Sequence, residues 1–256
     1  MIHSSAIVSD KAKIADDVGI GPYSIIGDGV EIASGTRVDS HVVINGPTVI
    51  GRDNHIYQFA SVGDDPQDKK YADEPTRLQI GDRNTIREFC TISRGTTQDK
   101  GETIIGDDNW IMAYVHIAHD CVIGDKTIMA NNATLAGHVH VGDWVILAGF
   151  SGVHQFCHIG AHSFLGMYCG VNRDVPAYTM VAGTPGVPRG INSEGLKRRD
   201  FSAEQIRNIK EAYRLVYRKG MKLNEAINEI SERCTKQPEL QLFLDSLRSS
   251  DRGLIR

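Results

Sequence analysis

The 256-residue chain has no run of 18 or more apolar residues, which excludes a membrane-spanning helix of the usual kind. No basic segment followed by an apolar signal core precedes the first repeat, so a cytoplasmic protein without stable membrane insertion is expected. Aromatic residues make up only 7% of the chain and do not alternate with the basic ones, which argues against a nucleic-acid-binding surface. A helical period of 3.6 is also missing from Ile2 to Pro176.

In its place, an aliphatic residue recurs at every sixth position. One frame runs Ile2, Val8, Ile14, Ile20, Ile26, Ile32, Val38, Ile44, Ile50, Ile56, Val62, then Ile80, Ile86 and Ile92. Shifted by one residue, it resumes at Ile105 and continues through Ile111, Ile117, Ile123, Met129, Leu135, Val141, Leu147, Val153, Ile159, Leu165 and Val171. A period that outlasts any single element belongs to a stacked coil, with three hexads making one triangular turn of about 18 residues. Successive turns lie about 4.8 Å apart, so the aliphatic positions form a column that one turn could not bury alone. Four of the five cysteines, Cys90, Cys121, Cys157 and Cys169, take the fifth position of a hexad as small inward-facing core residues. Cys121 and Cys157 are two turns apart, about 9.6 Å, too far for a disulfide. Cys234 has no evident partner, and a reducing compartment fits.

Two polar segments, near 63–79 and 94–104, interrupt the hexads and should protrude as loops, the first being the better candidate for function. After Pro176 the period stops, and "AGTPGVPRGIN" reads as a turn-rich transition. A capping box at Ser202 and Gln205 then opens a helix that Gly220 can end. Further helices are expected from Asn224 to Cys234 and from Pro238 to Ser249. The chain thus divides into a repeat domain, 1–186, and a helical domain, 187–256. The first carries 13 Lys and Arg against 22 Asp and Glu, the second 15 against 10. The basic tail would attract an acidic protein or a phosphorylated ligand, although an ordinary solvated helical face has the same composition.

Stacking turns sequence spacing into neighbourhood. Adding 18 places Gly137 and then Gln155 over His119, His138 over Asp120, and Ala136 and then His154 over Ala118, with His116 at the preceding corner. A histidine beside a carboxylate suits deprotonation of a hydroxyl, and a glycine one turn above lets a backbone N–H approach a developing oxyanion. No Ser or Cys nucleophile accompanies them, so direct attack is simpler than a covalent enzyme intermediate. Metal ligation is the competing reading, since zinc enzymes occur on hexapeptide solenoids, but their ligand spacing differs and no metal is expected.

The segments "HIAHDC" (116–121), "LAGHV" (135–139), "VHQFC" (153–157), "QDKKYADEPTR" (67–77), "IYQFASVG" (56–63), "EGLKRR" (194–199) and the closing "RGLIR" carry a whole-chain resemblance to bacterial UDP-N-acetylglucosamine O-acyltransferases. The resemblance implies an all-β left-handed parallel β-helix with a C-terminal α-helical domain, assembled as a homotrimer with its sites between subunits. It implies transfer of an (R)-3-hydroxyacyl group from acyl carrier protein to the 3-hydroxyl of UDP-N-acetylglucosamine. It implies no cofactor bound by the chain itself, with a phosphopantetheine arm arriving on the donor. By the same resemblance, His119 is the general base, Asp120 its orienting partner and Gly137 the oxyanion donor. Asp68 and Lys70 contact the acyl chain and the sugar nucleotide, while His116, His138, His154 and Gln155 line the cleft. Asn192, Glu194, Arg198 and Arg199 form the nucleotide end. Lys69 and Ser193 depart from the family's pattern without touching a catalytic role. Met167 stands where the family measures acyl length, which predicts a chain of about 10 carbons instead of about 14, because Met fills the volume of about four methylenes. An acyltransferase of this fold with another acceptor, or a non-enzymatic solenoid, remains the alternative.

Overall fold

The structure, a computed structural model, describes residues 1–256. Short parallel strands form three sheets, one per face of a triangular prism. Face I carries nine strands from Ile7–Val8 to Gly170–Val171; face II carries eight from Lys13–Ile14 to His158–Ile159. Face III carries ten, including Ile128–Met129 and Phe164–Leu165. The coil is a left-handed parallel β-helix. Ile117 pairs with Leu135 and Leu135 with Val153, so the 18-residue step holds wherever the hexads are unbroken. The two interruptions lengthen the step: Ile50 pairs with Ile80, and Ile80 with Ile105.

From Ile20 to Val171 the column of leading residues is inside, with Ile44, Ile56, Ile86, Ile117 and Leu147 all at 0% exposure, whereas at the open first turn Ile2 is 47% exposed and Val8 and Ile14 are half-buried. Each such side chain contributes about 1.5–3 kcal/mol when buried, and a parallel coil buries them only through its neighbours. Cys90, Cys121, Cys157 and Cys169 are buried and free, as their place in the hexad requires. Corners are turned by residues in the left-handed region; at the edge between faces I and II these are Asp120 (φ 59°), His138 (62°) and Phe156 (64°). Each costs about 1–2 kcal/mol for a non-glycine residue, a cost that the inter-turn hydrogen bonds offset.

A buried asparagine ladder went unread in the sequence. Asn84 N donates to Asn54 Oδ1 at 2.9 Å, and Asn109 N to Asn84 Oδ1 at 2.9 Å. Its members are 30 and 25 residues apart because the loops intervene.

Both protruding segments are shorter than expected, since strands at Ser61–Asp64, Arg77–Ile80 and Glu102–Ile105 consume their ends. The free parts are 65–76 and 94–101. The supposed turn-rich transition is a β-hairpin: Thr179–Ala182 continues face III, and Val187–Ile191 pairs with it antiparallel. Residue 186 lies in its turn. The helices follow as α1 (Ser193–Lys197), α2 (Ala203–Tyr217), α3 (Leu223–Cys234) and α4 (Gln241–Arg248). Helix α1 was not foreseen, being too short to show a period. Helix α2 opens on the Ser202 capping box but ends three residues before Gly220. The helices pack around a second core of Tyr178, Leu196, Ile209, Leu215, Ile230 and Phe243. The tail then returns to the coil, where Ile255 joins the first core.

Candidate functional site

The edge between faces I and II gathers the residues that 18-residue arithmetic put together. His119 Nδ1 lies 2.8 Å from Asp120 Oδ2. A carboxylate only accepts, so Nδ1 carries the proton and Nε2 keeps its lone pair. Gly137 sits directly above: a Cβ built there would lie 2.7 Å from His119 Nε2. The Gly137 N–H makes no backbone hydrogen bond within the chain. His138 stands edge-on to His119, ring centres 5.0 Å apart, with Phe156 stacked on its other side at 4.3 Å. His154 and Gln155 follow, exposed. His116 is not at a corner; it lies on the face I strand His116–Ile117, and its Nδ1 meets Thr91 Oγ1 at 2.7 Å. Burial, with His119 nearby, lowers its pKa.

The second loop carries the support that sequence reasoning missed. Thr96, 2% exposed, gives Asp120 its backbone N–H at 2.9 and 3.1 Å and its hydroxyl at 2.7 Å. Burial alone would raise the Asp120 carboxyl; the hydrogen bonds from His119 and Thr96, with His138 near, outweigh it and hold the pKa below the usual range. Asp99 of the same loop meets His138 Nδ1 at 3.0 Å. Buried Arg94 ties the first loop to the coil, donating to Gly63 O at 2.8 Å, to Tyr71 Oη at 3.0 Å and to Asp65. Asp68 and Lys70 lie in that loop, where Lys70 N donates to Asp68 Oδ1 at 3.1 Å. A histidine stacked against a carboxylate was legible; a threonine 24 residues away was not, because the loop erases the register.

His119, Asp120 and His138 also offer three donor atoms within 4.8 Å of one another. Asp120 already accepts from three groups of the chain, the Thr96 N–H and hydroxyl and His119, so a metal would have to displace hydrogen bonds built for the carboxylate.

The remaining candidates lie on other edges. Arg199 is at the edge between faces II and III, its guanidinium 5.0 Å from the Trp144 ring and Nη1 donating to His162 Nδ1 at 3.0 Å. Asn192 caps α1, accepting from Gly195 N, and its Nδ2 donates to His162 O at 2.9 Å. Glu194 pairs with Lys197 on the surface, and Arg198 is exposed. Met167, 61% exposed, stands at the edge between faces III and I. One chain therefore does not bring these residues to His119. A groove of about 450 Å³ does leave His154 along face I, over Thr134, Ala136, Gly152 and Gly170, towards the edge that carries Met167.

Burial beside Arg199 lowers the His162 pKa to about 4. The folded value lies below the unfolded value of about 6.5, so His162 stabilises the fold fully above pH 6.5, and this contribution is lost as pH falls towards 4. The melting temperature is expected to drop over that window, and His162→Gln, which keeps an acceptor for Arg199, to drop less. Thermal scans from pH 7 to pH 4 check this; parallel curves would reject it.

Residues 174–255 match the family model described as UDP-N-acetylglucosamine O-acyltransferase, domain 2, and residues 102–137 match that of bacterial transferase hexapeptide repeats. The chain is 55% identical over 255 residues to the acyl-[acyl-carrier-protein]--UDP-N-acetylglucosamine O-acyltransferase of Saccharophagus degradans, covering 100% of this chain and 99% of the relative. It is 57% identical to that of Thiobacillus denitrificans, with the same coverage. Among solved structures, the UDP-N-acetylglucosamine O-acyltransferase of Moraxella catarrhalis is 50% identical and superimposes with a TM-score of 0.98, covering 100% of this chain and 99% of its own.

Proposed function

The chain belongs to the UDP-N-acetylglucosamine O-acyltransferase family, and from that footing we propose that it moves an (R)-3-hydroxyacyl group from acyl carrier protein to the 3-hydroxyl of UDP-N-acetylglucosamine. The single observation that carries the mechanism is His119 Nε2 held against the Gly137 backbone by an Asp120 hydrogen bond on the opposite ring nitrogen. Nε2 takes the proton of the sugar hydroxyl as its oxygen attacks the thioester carbon. The Gly137 N–H meets the oxyanion that forms. When the C–S bond breaks, the imidazolium returns its proton to the departing thiolate, and histidine is ready for another cycle.

Asp120 orients His119, and Thr96 orients Asp120. A Thr96→Val variant keeps the shape and loses one hydrogen bond to the carboxylate, worth about 1–2 kcal/mol. Its kcat should fall about tenfold at unchanged KM, and the acidic limb of its pH–rate profile should move; a shift in KM alone would reject the role.

The homotrimer is part of the same proposal. With His119, Arg199 and Met167 on three different edges, packing copies side by side lays the Arg198 and Arg199 edge of one chain against the His119 edge of the next, where paired guanidinium groups suit diphosphate oxygens. Asp68 and Lys70 of the first loop, with His116, His138, His154 and Gln155, line the cleft so formed. No helix of the chain is long and apolar enough to cross a membrane.

The groove along face I takes the acyl chain, and Met167 at its far edge sets the length at about 10 carbons. Its side chain excludes about four methylenes worth about 0.8 kcal/mol each, so the preference over a 14-carbon donor should exceed about a hundredfold. Met167→Gly should reverse the order. Incubating the purified protein with UDP-N-acetylglucosamine and 3-hydroxydecanoyl or 3-hydroxymyristoyl carrier protein, and weighing the product, tests reaction and ruler together. Equal turnover of both donors rejects the ruler; no acylated sugar nucleotide from either rejects the function.

A further inference from the structure

The stacked row does not end at Gln155. Gly152 pairs with Gly170 and Val153 with Val171, so the next step places Asn172 over His154 and Arg173 over Gln155. His154, Asn172 and Arg173, with Asp251 and Arg252 of the tail, wall a polar pocket of about 490 Å³. The tail is fixed in place there. The Asp174 carboxylate, 2% exposed, accepts from Ser250 Oγ at 2.7 Å, from Arg252 N at 3.1 Å and from His158 N at 2.8 Å. Asp174 N donates to Gly253 O at 3.0 Å, Ile255 N donates to Asp174 O at 2.9 Å, and Ile255 is buried in the coil core. Arg252 Nη2 reaches His154 Nδ1 at 3.3 Å. Neither Arg173 nor Arg252 has an ion-pair partner, although five of the seven arginines of the coil, Arg37, Arg77, Arg83, Arg87 and Arg94, are paired. Two guanidinium groups without an ion pair and an amide facing one pocket, against a single exposed carboxylate, make an anion site, and guanidinium forks match phosphate oxygens.

We propose that Arg173 and Arg252, with Asn172, bind the phosphate of the pantetheine arm that delivers the acyl group; this rests on the acyl transfer proposed above. Distance separates that phosphate from the diphosphate of the acceptor. Arg173 lies three turns above His119, about 14 Å along the axis at about 4.8 Å per turn. An extended chain gains at most about 3.6 Å per three bonds. The thioester sulfur and the arm's phosphorus are about thirteen bonds apart, a reach of about 15 Å by that measure. The acceptor's 3-hydroxyl oxygen and its nearer phosphorus are about five bonds apart, about 6 Å. Only the donor's phosphate reaches the pocket while its thioester meets His119.

Two small donors test this, the same 3-hydroxyacyl group on 4′-phosphopantetheine and on pantetheine, which differ by the phosphate alone. The wild type should use the first with a kcat/KM about tenfold to a hundredfold higher, as expected for charge-assisted hydrogen bonds. In Arg252→Met and Arg173→Met, and most in the double variant, that ratio should collapse towards one through loss of the phosphorylated donor only. The KM of UDP-N-acetylglucosamine should stay unchanged. Equal losses on both donors, or an unchanged ratio, would overturn the assignment. A raised KM for the sugar nucleotide would move the pocket to the acceptor's diphosphate and overturn it as well. A variant that fails to fold shows in its melting curve, and Arg252→Lys, which keeps the charge, then has to retain most of the ratio. A wild type inactive with both these donors and carrier-borne donors would instead sink the acyl-transfer reading itself.

Discussion

Replacing His119 with Ala is expected to lower kcat about 10³-fold, within the 10²- to 10⁴-fold span of general base catalysis, with little change in KM for either substrate. The fold should survive. The variant removes one of three hydrogen-bond partners of the Asp120 carboxylate, whose side chain is 1% exposed, at a cost of about 1–3 kcal/mol. Thr96 keeps its two bonds to that carboxylate. Asp120→Asn should be nearly as inactive for a different reason. The Thr96 N–H keeps the amide oxygen in the place of Oδ1, so the NH₂ takes that of Oδ2 and donates to Thr96 Oγ1 and to His119 Nδ1, which must then accept. The imidazole proton moves to Nε2, the nitrogen that has to take the sugar's proton. The double variant should be no slower than the worse single one, because base and orienting group act as a unit. Initial rates at saturating substrate check all three; an Asp120→Asn enzyme within tenfold of the wild type would mean that the carboxylate does not choose the tautomer.

Local rules carried the sequence reading as far as the 18-residue step held. From Ile105 onwards the frame is unbroken, so the stacking of His119 under Gly137 and of Asp120 under His138 could be obtained by addition, and Ile117 over Leu135 and Val153 confirms the register in space. The helices after Ser202 announced themselves by a capping box and apolar spacing. What escaped lies where register is lost. Thr96 and Asp99 serve Asp120 and His138 from a loop with no period, 24 and 39 residues away. Arg94 reads as one more polar loop residue until its guanidinium is seen buried against Gly63 and Tyr71. The hairpin at Thr179–Ile191 hid behind glycine and proline, which mark its turn and also mask its strands. His116 was put at a corner because its spacing from His119 suits either a strand end or a turn; the strand pairing with Thr91 and Thr134 decides it.

Gly137→Ala should be as damaging as losing the base, and by a route that leaves the fold intact. The φ of Gly137 is not in the left-handed region, so alanine meets no backbone strain there. Narrowing the unfolded ensemble would by itself contribute about 0.4–1 kcal/mol of stability. The obstacle is the neighbour: the added Cβ would lie 2.5 Å from His119 Cε1 and 2.7 Å from Nε2. An imidazole cannot occupy that space and also keep its 2.8 Å contact with Asp120, so the ring must rotate out and lose its orientation. The expected loss in kcat is about 10²- to 10³-fold with a melting temperature only slightly lowered, while Gly19→Ala, where a Cβ meets nothing within 4 Å, serves as the silent control. The backbone N–H survives in alanine, so combining the two substitutions separates the causes. If the methyl group acts by displacing the base, Gly137→Ala adds nothing in a His119→Ala background. A further loss of tenfold or more there would show that it also crowds the tetrahedral intermediate at the oxyanion, and full activity of Gly137→Ala alone would remove His119 Nε2 from the reaction altogether.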